Sequence, residues 1–438
     1  MATGIPNKNG RISKKQNSLN FRLEYDGKLS VEDILNTPPA NLNHLLSVPG
    51  NPKNKLIYGD NLTVLSALLK DDNLAGKVNL VYIDPPYATG SSFESRNRDH
   101  AYHDLLAGAE YLEFLRQRLI LIREILSDDG SIYVHLDEKM TCPVKIIMDE
   151  IFGQKNFRNF ITRKKCNPKN YTRKQYGNIS DYILFYTKTD NYLWNQQFES
   201  WHENTIKKEY QYIEEGTGRL YKKVPIHAPG VRKGATGQAW RGMLPPPGKH
   251  WQYTPETLDE MDARGEIYWS PTGNPRRKIY FDNSQGISIQ DIWLDFKDAH
   301  NQNIKITGYP TEKNADLIKR IIMASSHENS IILDAFAGSG TTIAVAEELG
   351  RQWIAVDNSP LAIDTMIRRL VQGSEAMGDF VNENNNSSKY KQISLIDVNR
   401  ILTTGLDLYM QSSPELELIS EQIIKDWDSK LNSLTSFL

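Results

Sequence analysis

The chain predicts an α/β fold: a doubly wound, mostly parallel sheet with a mixed second domain. Three observations predict the sheet. First, Val78 to Ile83 (VNLVYI) is a continuous apolar run rich in β-branched residues, the pattern of a strand buried on both faces. Second, SIYVHL at 131–136, the run from Ser330 to Leu333 and WIAV at 353–356 repeat that pattern. Stretches with apolar residues at helical spacing separate them, and such alternation points to an open parallel sheet. Third, a glycine turn, Asp334-Ala335-Phe336-Ala337-Gly338-Ser339-Gly340, stands between a strand and a helix.

Taken in order, residues 1–50 read as an N-terminal arm with a short helical lead-in. In 51–154, LIYGD reads as a strand and its exit, and NLTVLSALLK as a helix capped by Asn or Asp. VNLVYI follows and stops at Asp84-Pro85-Pro86-Tyr87, where two prolines forbid further pairing. A helix from about Glu110 to Leu126, a turn at Asp128-Asp129-Gly130, the strand at 131–136 and a helix from Lys139 to Phe152 complete this part. Across 155–305 the alternation fades; Gly, Pro and Tyr are frequent, and six of the eight tryptophans lie there. Order resumes in 306–372 with a helix over Thr311–Ala324, the strand and glycine turn, a helix over Thr341–Leu349, a strand ending at Asp357 and a helix over Pro360–Leu370. Residues 373–438 read as a polar linker and a helical tail.

Composition bounds the function classes. The chain has 438 residues, 39% hydrophobic and 24% charged, with net charge -2, so a soluble globular protein is expected. Cys142 and Cys166 form no disulfide framework and lack metal-ligand spacing. The polar, basic N-terminus has no signal-peptide pattern, and no run approaches the ~20 apolar residues of a membrane span. A cytoplasmic location is the resulting expectation.

Asp334 to Thr342 stands where a nucleotide-like cofactor binds, at the carboxyl ends of parallel strands. Gly338 and Gly340 allow close backbone approach. Asp357 ends the next strand, where an acidic side chain can accept both ribose hydroxyls. The third glycine of a dinucleotide fingerprint and the G-x-x-x-x-G-K-[ST] pattern are both missing. Asp84-Pro85-Pro86-Tyr87 suits methylation of an amino group conjugated to a ring. Asp84 and the Pro85 carbonyl can accept the two N–H bonds, which turns the nitrogen lone pair towards a sulfonium methyl. Tyr87 can stack on a flipped base.

These motifs resemble the β-class amino-methyltransferases of bacterial restriction–modification systems, closest in style to type III modification subunits. The matching stretches are LIYGDNLTVL, YIDPPYATG, YLEFLRQRLILIREILSDDGSIYVHLDE, TGYPTEKNADLIKRII and LDAFAGSGTT. They run from about Lys55 to Leu370, with the D-P-P-Y block before the A-G-S-G block, the order of that class. The resemblance implies the S-adenosylmethionine-dependent methyltransferase fold in permuted motif order, with S-adenosylmethionine as cofactor; direct transfer requires no metal, and none is expected. It places Asp334, Phe336, Gly338, Gly340 and Thr341 at the methionine end, Asp357 at the ribose, and Asp60 and Asn61 near the adenine. Thr311 and Lys313 would open a helix packed beside the methionine carboxylate, with Asn314 where the family commonly has proline. A homodimer is implied, and any restriction subunit is expected as a separate chain. An Asp at the first motif position goes mostly with adenine, Ser mostly with cytosine.

Duplex DNA is the expected partner. Between Lys155 and Lys249 there are 18 Lys and Arg against 7 Asp and Glu, a basic excess suited to phosphates. Arg163, Lys164, Lys165, Arg232 and Lys233 are the candidate contacts, with solvated faces as the alternative for such short runs. Other readings fit less well. RNA or protein amide methyltransferases place the glycine loop first, and a C5-cytosine enzyme needs a cysteine after proline, whereas Cys142 precedes Pro143 and Cys166 follows Lys165. An inactive DNA-binding subunit would be expected to have lost a motif residue.

Overall fold

In the computed structural model, the described residues are 21–51, 53–86, 92–94, 100–103, 108–168, 174–296, 305–306, 312–372, 375–376, 404–412 and 421–435. They form two compact units, 1–195 with 290–438, and 196–289. The first is built on a ten-stranded sheet. Its strands are β1 (Leu42–Val48), β2 (Lys53–Tyr58), β3 (Val78–Ile83), β4 (Leu126–Leu136), β5 (Phe157–Lys164), β6 (Ser180–Thr187), β7 (Ile292–Trp293), β8 (Ile331–Asp334), β9 (Gln352–Asp357) and β10 (Gly405–Gln411). The spatial order is β1-β10-β2-β9-β8-β3-β4-β6-β5-β7. From β10 to β4 every neighbouring pair is parallel. β6 turns antiparallel to both β4 and β5, and β1 antiparallel to β10.

Helices α1 (Val31–Leu35), α2 (Asn61–Leu69), α3 (Gly108–Ile125), α4 (Thr141–Phe152), α5 (Ala315–Ser325), α6 (Thr341–Glu348), α7 (Pro360–Gln372) and α8 (Glu421–Thr435) flank the sheet. Successive side chains of a strand point to opposite faces, and the core divides accordingly. Ile57, Val81, Ile83, Ile132, Val134, Leu333 and Val356 join α2, α3 and α4 in one apolar cluster. On the other face, Tyr133 reaches Ser325 of α5 at 2.8 Å and Tyr58 meets Trp427 of α8 edge-on. Each fully buried aliphatic side chain in such a core stabilises by about 1.5–3 kcal/mol. The doubly wound, mostly parallel fold is as the sequence predicts.

Three boundaries differ from the sequence reading. Residues 155–195, assigned to the second domain, supply β5 and β6 of the central sheet, and the separate unit begins only at Gln196. β5 is largely part-exposed and lacks the apolar continuity of β3, whereas β6 carries a buried apolar run, Ile183 to Tyr186, that the sequence reading passed over. The N-terminal arm contains β1, and the polar tail contains β10, which inserts between β1 and β2. Strands so far apart in sequence carry no local signal of their pairing. The helix expected from Thr311 starts at Ala315, with Asn314 as its N-cap: the Asn314 side chain accepts from the Asp316 N–H at 2.8 Å. The asparagine is thus a working helix start.

The second unit holds a four-stranded antiparallel sheet in the order Tyr212–Ile213, Leu220–Pro225, Pro275–Tyr280, Ile267–Trp269. Its core gathers Ile226, Trp240, Trp251, Leu258, Met261 and Ile267, with Leu258 and Met261 contributed by the helix Pro255–Ala263. No helix among the described residues is long and apolar enough to cross a membrane, and these residues hold no cluster of three or more metal-ligating side chains.

Candidate active site

The carboxyl ends of β9 and β8 carry the glycine turn and two aspartates. Gly338 and Gly340 have φ of +51° and +72°, the left-handed region that glycine adopts without penalty. A Cβ on Gly340 would lie 2.6 Å from Met366 Cγ of α7, so the turn is packed hard against that helix. Asp357 accepts the Gly338 N–H at 2.8 Å and the Ser359 N–H at 2.9 Å, and burial raises its carboxyl. Asp334 is buried and accepts the Phe336 N–H at 3.0 Å. Burial above all, with the like charges of Asp84 and Asp357 added, pushes Asp334 up to about 7.

Asp60, just beyond β2, caps α2 by accepting the Thr63 N–H. Arg118 of α3 reaches Asp60 at 3.0 Å and also donates to Asn61, while its guanidinium lies 3.6 Å from the Phe114 ring centre. The Asn61 amide donates to the Ala335 carbonyl at 2.7 Å, tying the end of β2 to the glycine turn. Phe114 in turn meets Phe336 edge-on at 6.0 Å.

Next in the sheet, β3 ends in Asp84-Pro85-Pro86; Tyr87 lies outside the described residues. The Lys313 ammonium sits 2.7 Å from Asp84 Oδ2. Thr311 is also outside the described residues. Farther along the same rim, Tyr82 OH lies 2.8 Å from His135 Nδ1, and His135 Nε2 lies 3.0 Å from Asp181 Oδ2. Arg163 donates to Asp181 at 2.8 Å and to the Phe296 carbonyl at 2.7 Å. Burial alone would raise Asp181, but His135, Arg163 and Lys313 together hold it well below the usual carboxylate range.

The chain thus sets polar groups at the ends of five adjacent strands: Asp357, Asp334, Asp84, His135 and Asp181. Two or three carboxylates converging where burial penalises their charge form a site for a cation. Residues 78–368 match the DNA methylase family of the N6 and N4 amino-methyltransferases.

The chain belongs to this family. It is 49% identical to the type II methyltransferase M.EcaI of Enterobacter cloacae over 79% of this chain and 76% of that protein. It is 29% identical to the StyLTI type III Mod subunit of Salmonella typhimurium over 69% of this chain, and it spans 51% of that longer protein. A crystal structure of an M1.HpyAVI–SAM complex aligns over 72% of this chain at 15% identity and a TM-score of 0.41. The protein is therefore a DNA methyltransferase of the restriction–modification kind, and its cofactor is S-adenosylmethionine. The residues present fit that group: a sulfonium and an ammonium are cations, and Asp334 and Asp357 offer negative charge beside two glycines that admit a ligand to the backbone.

Thr341 of the methylase turns its hydroxyl to Arg369 at 2.8 Å, so it braces the glycine turn. Arg369 also donates to the Ser339 carbonyl at 2.9 Å and pairs with Glu312, joining α7, the turn and the segment before α5. Sequence reasoning missed Arg118 and Arg369, and a signal existed for the first: Arg118 falls on the apolar stripe of α3, between Leu115 and Ile122. Charged residues on such a stripe are almost always paired.

Among the expected DNA contacts, Arg163 is corrected by the structure. It is 0% exposed, and its guanidinium is committed to Asp181 and Phe296. A side chain on the inward face of a strand cannot meet a phosphate. Lys164 and Lys165 are half-buried, while Arg232 and Lys233 are exposed. These two sit in a tight turn, where a Cβ on Gly237 would collide with the Arg232 carbonyl. The basic excess also divides unevenly: residues 196–289 hold 13 Lys and Arg against 11 Asp and Glu.

Proposed function

We propose that this methylase transfers a methyl group to N6 of adenine, within a short recognition sequence of duplex DNA, after the base is flipped out of the helix. The observation that carries the reading is adjacency: β3, which ends at Asp84, pairs with β8, which ends at Asp334. The acceptor for the target amine and the cofactor turn stand on neighbouring strands of one rim. The cofactor supplies an electrophilic methyl on a sulfonium. Asp84 accepts one N–H of the amine and the Pro85 carbonyl the other, which localises the nitrogen lone pair. That pair would form the new N–C bond as the methyl–sulfur bond breaks, its electrons staying on the departing thioether, and one amine proton then passes to solvent. Aspartate at the first motif position supports adenine over cytosine.

The second unit suits the recognition role. On one face of its sheet Lys223 lies 3.6 Å from the Tyr212 ring centre and 3.4 Å from that of Tyr268. Arg276, cross-strand from Tyr268, is exposed beside them. Cations backed by aromatic rings give a surface that takes phosphates and bases. A homodimer and a separate restriction subunit complete this reading, as the resemblance to modification subunits implies.

Expression in a host without DNA methylation of its own, followed by modification-sensitive sequencing, tests it. N6-methyladenine in one sequence context is expected. N4-methylcytosine would overturn the base, and unmodified DNA would overturn the activity.

A further inference from the structure

Lys313 lies in the segment that the family resemblance sets beside the methionine carboxylate, yet its ammonium is spent elsewhere. It is 2.7 Å from Asp84 Oδ2, with both side chains largely withdrawn from solvent at 10% and 18% exposure. It is also near enough to Asp181 to hold that carboxylate down. The ammonium is thus shared between the transfer half of the rim and the row behind it.

We propose that Lys313 is a positioning residue for methyl transfer: it fixes one oxygen of Asp84 and compensates its charge, so that Asp84 receives the target amine as an acceptor. The inference rests on the methyltransferase reading and deepens it.

Asp334, at the end of β8, repels Asp84. On the other side Tyr82, His135 and Asp181 form a buried chain in which Arg163 pairs with Asp181. Lys313 is the cation that reaches Asp84 from the segment before α5. Rigid placement is what this contact supplies. The pair joins the rigid end of β3 to a segment that Glu312 ties to Arg369 and that Asn314 closes onto α5. Misplacement of an acceptor by about 1 Å costs on the order of 100-fold in rate.

The test uses the full chain with Lys313→Met and Lys313→Arg, measuring cofactor affinity by calorimetry and single-turnover methyl transfer to target DNA. Lys313→Met is expected to bind S-adenosylmethionine within about threefold of wild type, which also reports an intact fold. Its transfer rate should fall roughly 10–100-fold, the range for a lost hydrogen bond to a charged group. KM for DNA should be little changed, and Lys313→Arg should restore much of the rate. A Lys313→Met chain whose cofactor affinity collapses while its transfer rate at saturating cofactor is unchanged would overturn the proposal and assign the lysine to the cofactor carboxylate. An unchanged transfer rate in Lys313→Met would overturn it equally. A wild-type chain that transfers no methyl group would instead bring down the methyltransferase reading itself.

Discussion

The two halves of the strand rim hold their carboxylates in opposite ways. On β8 and β9, Asp334 and Asp357 are fixed by backbone N–H groups of their own turns, and burial raises both. On β3 and β6, Asp84 and Asp181 are fixed by side chains, the cations Lys313 and Arg163 together with the His135 ring. Backbone dipoles orient a carboxylate without neutralising it, so the first half keeps unspent negative charge for a cationic ligand. Side-chain cations neutralise as well as orient, so the second half can keep a working carboxylate beside Asp334 without demanding a cation from solution. On the proposed reading, the first half binds and the second acts.

The largest effect that could break this contrast is at Asp84. Asp84→Ala should lower methyl transfer on the order of 10³-fold while leaving cofactor affinity within a few-fold, measured by single turnover and calorimetry. Next comes Arg163. Removing one partner of a buried ion pair costs about 3–5 kcal/mol, so Arg163→Ala should show a strongly lowered denaturant midpoint. The salt dependence of DNA binding by whatever fraction stays folded should be unchanged, because this arginine is interior. A shallower salt slope would return Arg163 to the DNA interface.

In the binding half, Asp357→Ala should weaken S-adenosylmethionine by roughly 10–100-fold, the value of hydrogen bonds to a charged acceptor, with saturated transfer little altered. The titration of Asp334 sharpens the same point. A bound cation favours its ionised form, so cofactor binding releases a proton below about 7. Affinity should therefore rise with pH, up to about tenfold per unit for one proton, and level off above that value. Asp334→Asn should flatten the dependence. The smallest effect is expected in the second unit, where Lys223→Ala or Arg276→Ala should each reduce the salt slope of DNA binding by about one.

The binding half was the more legible in sequence. A strand, a glycine turn, a helix and an aspartate at the next strand end are contiguous, and the φ values of Gly338 and Gly340 are demanded locally. Asp84 was legible because two prolines must end a strand. The acting half was hidden because its partners come from distant segments: Lys313 lies far along the chain from Asp84, and Arg163 was read as part of a basic run. Charge runs show composition, whereas strand alternation decides which member faces inward, and Arg163 faces inward while Lys164 does not. β10 was unreadable for a related reason, since its place between β1 and β2 depends on pairing across nearly the whole chain.

The most direct test of the division is single-turnover methyl transfer by wild type and Asp84→Ala, each saturated with S-adenosylmethionine and given target duplex. The division predicts full occupancy of both chains with transfer by wild type alone. Transfer by the variant at a near wild-type rate, or failure of the variant to bind the cofactor, would contradict it.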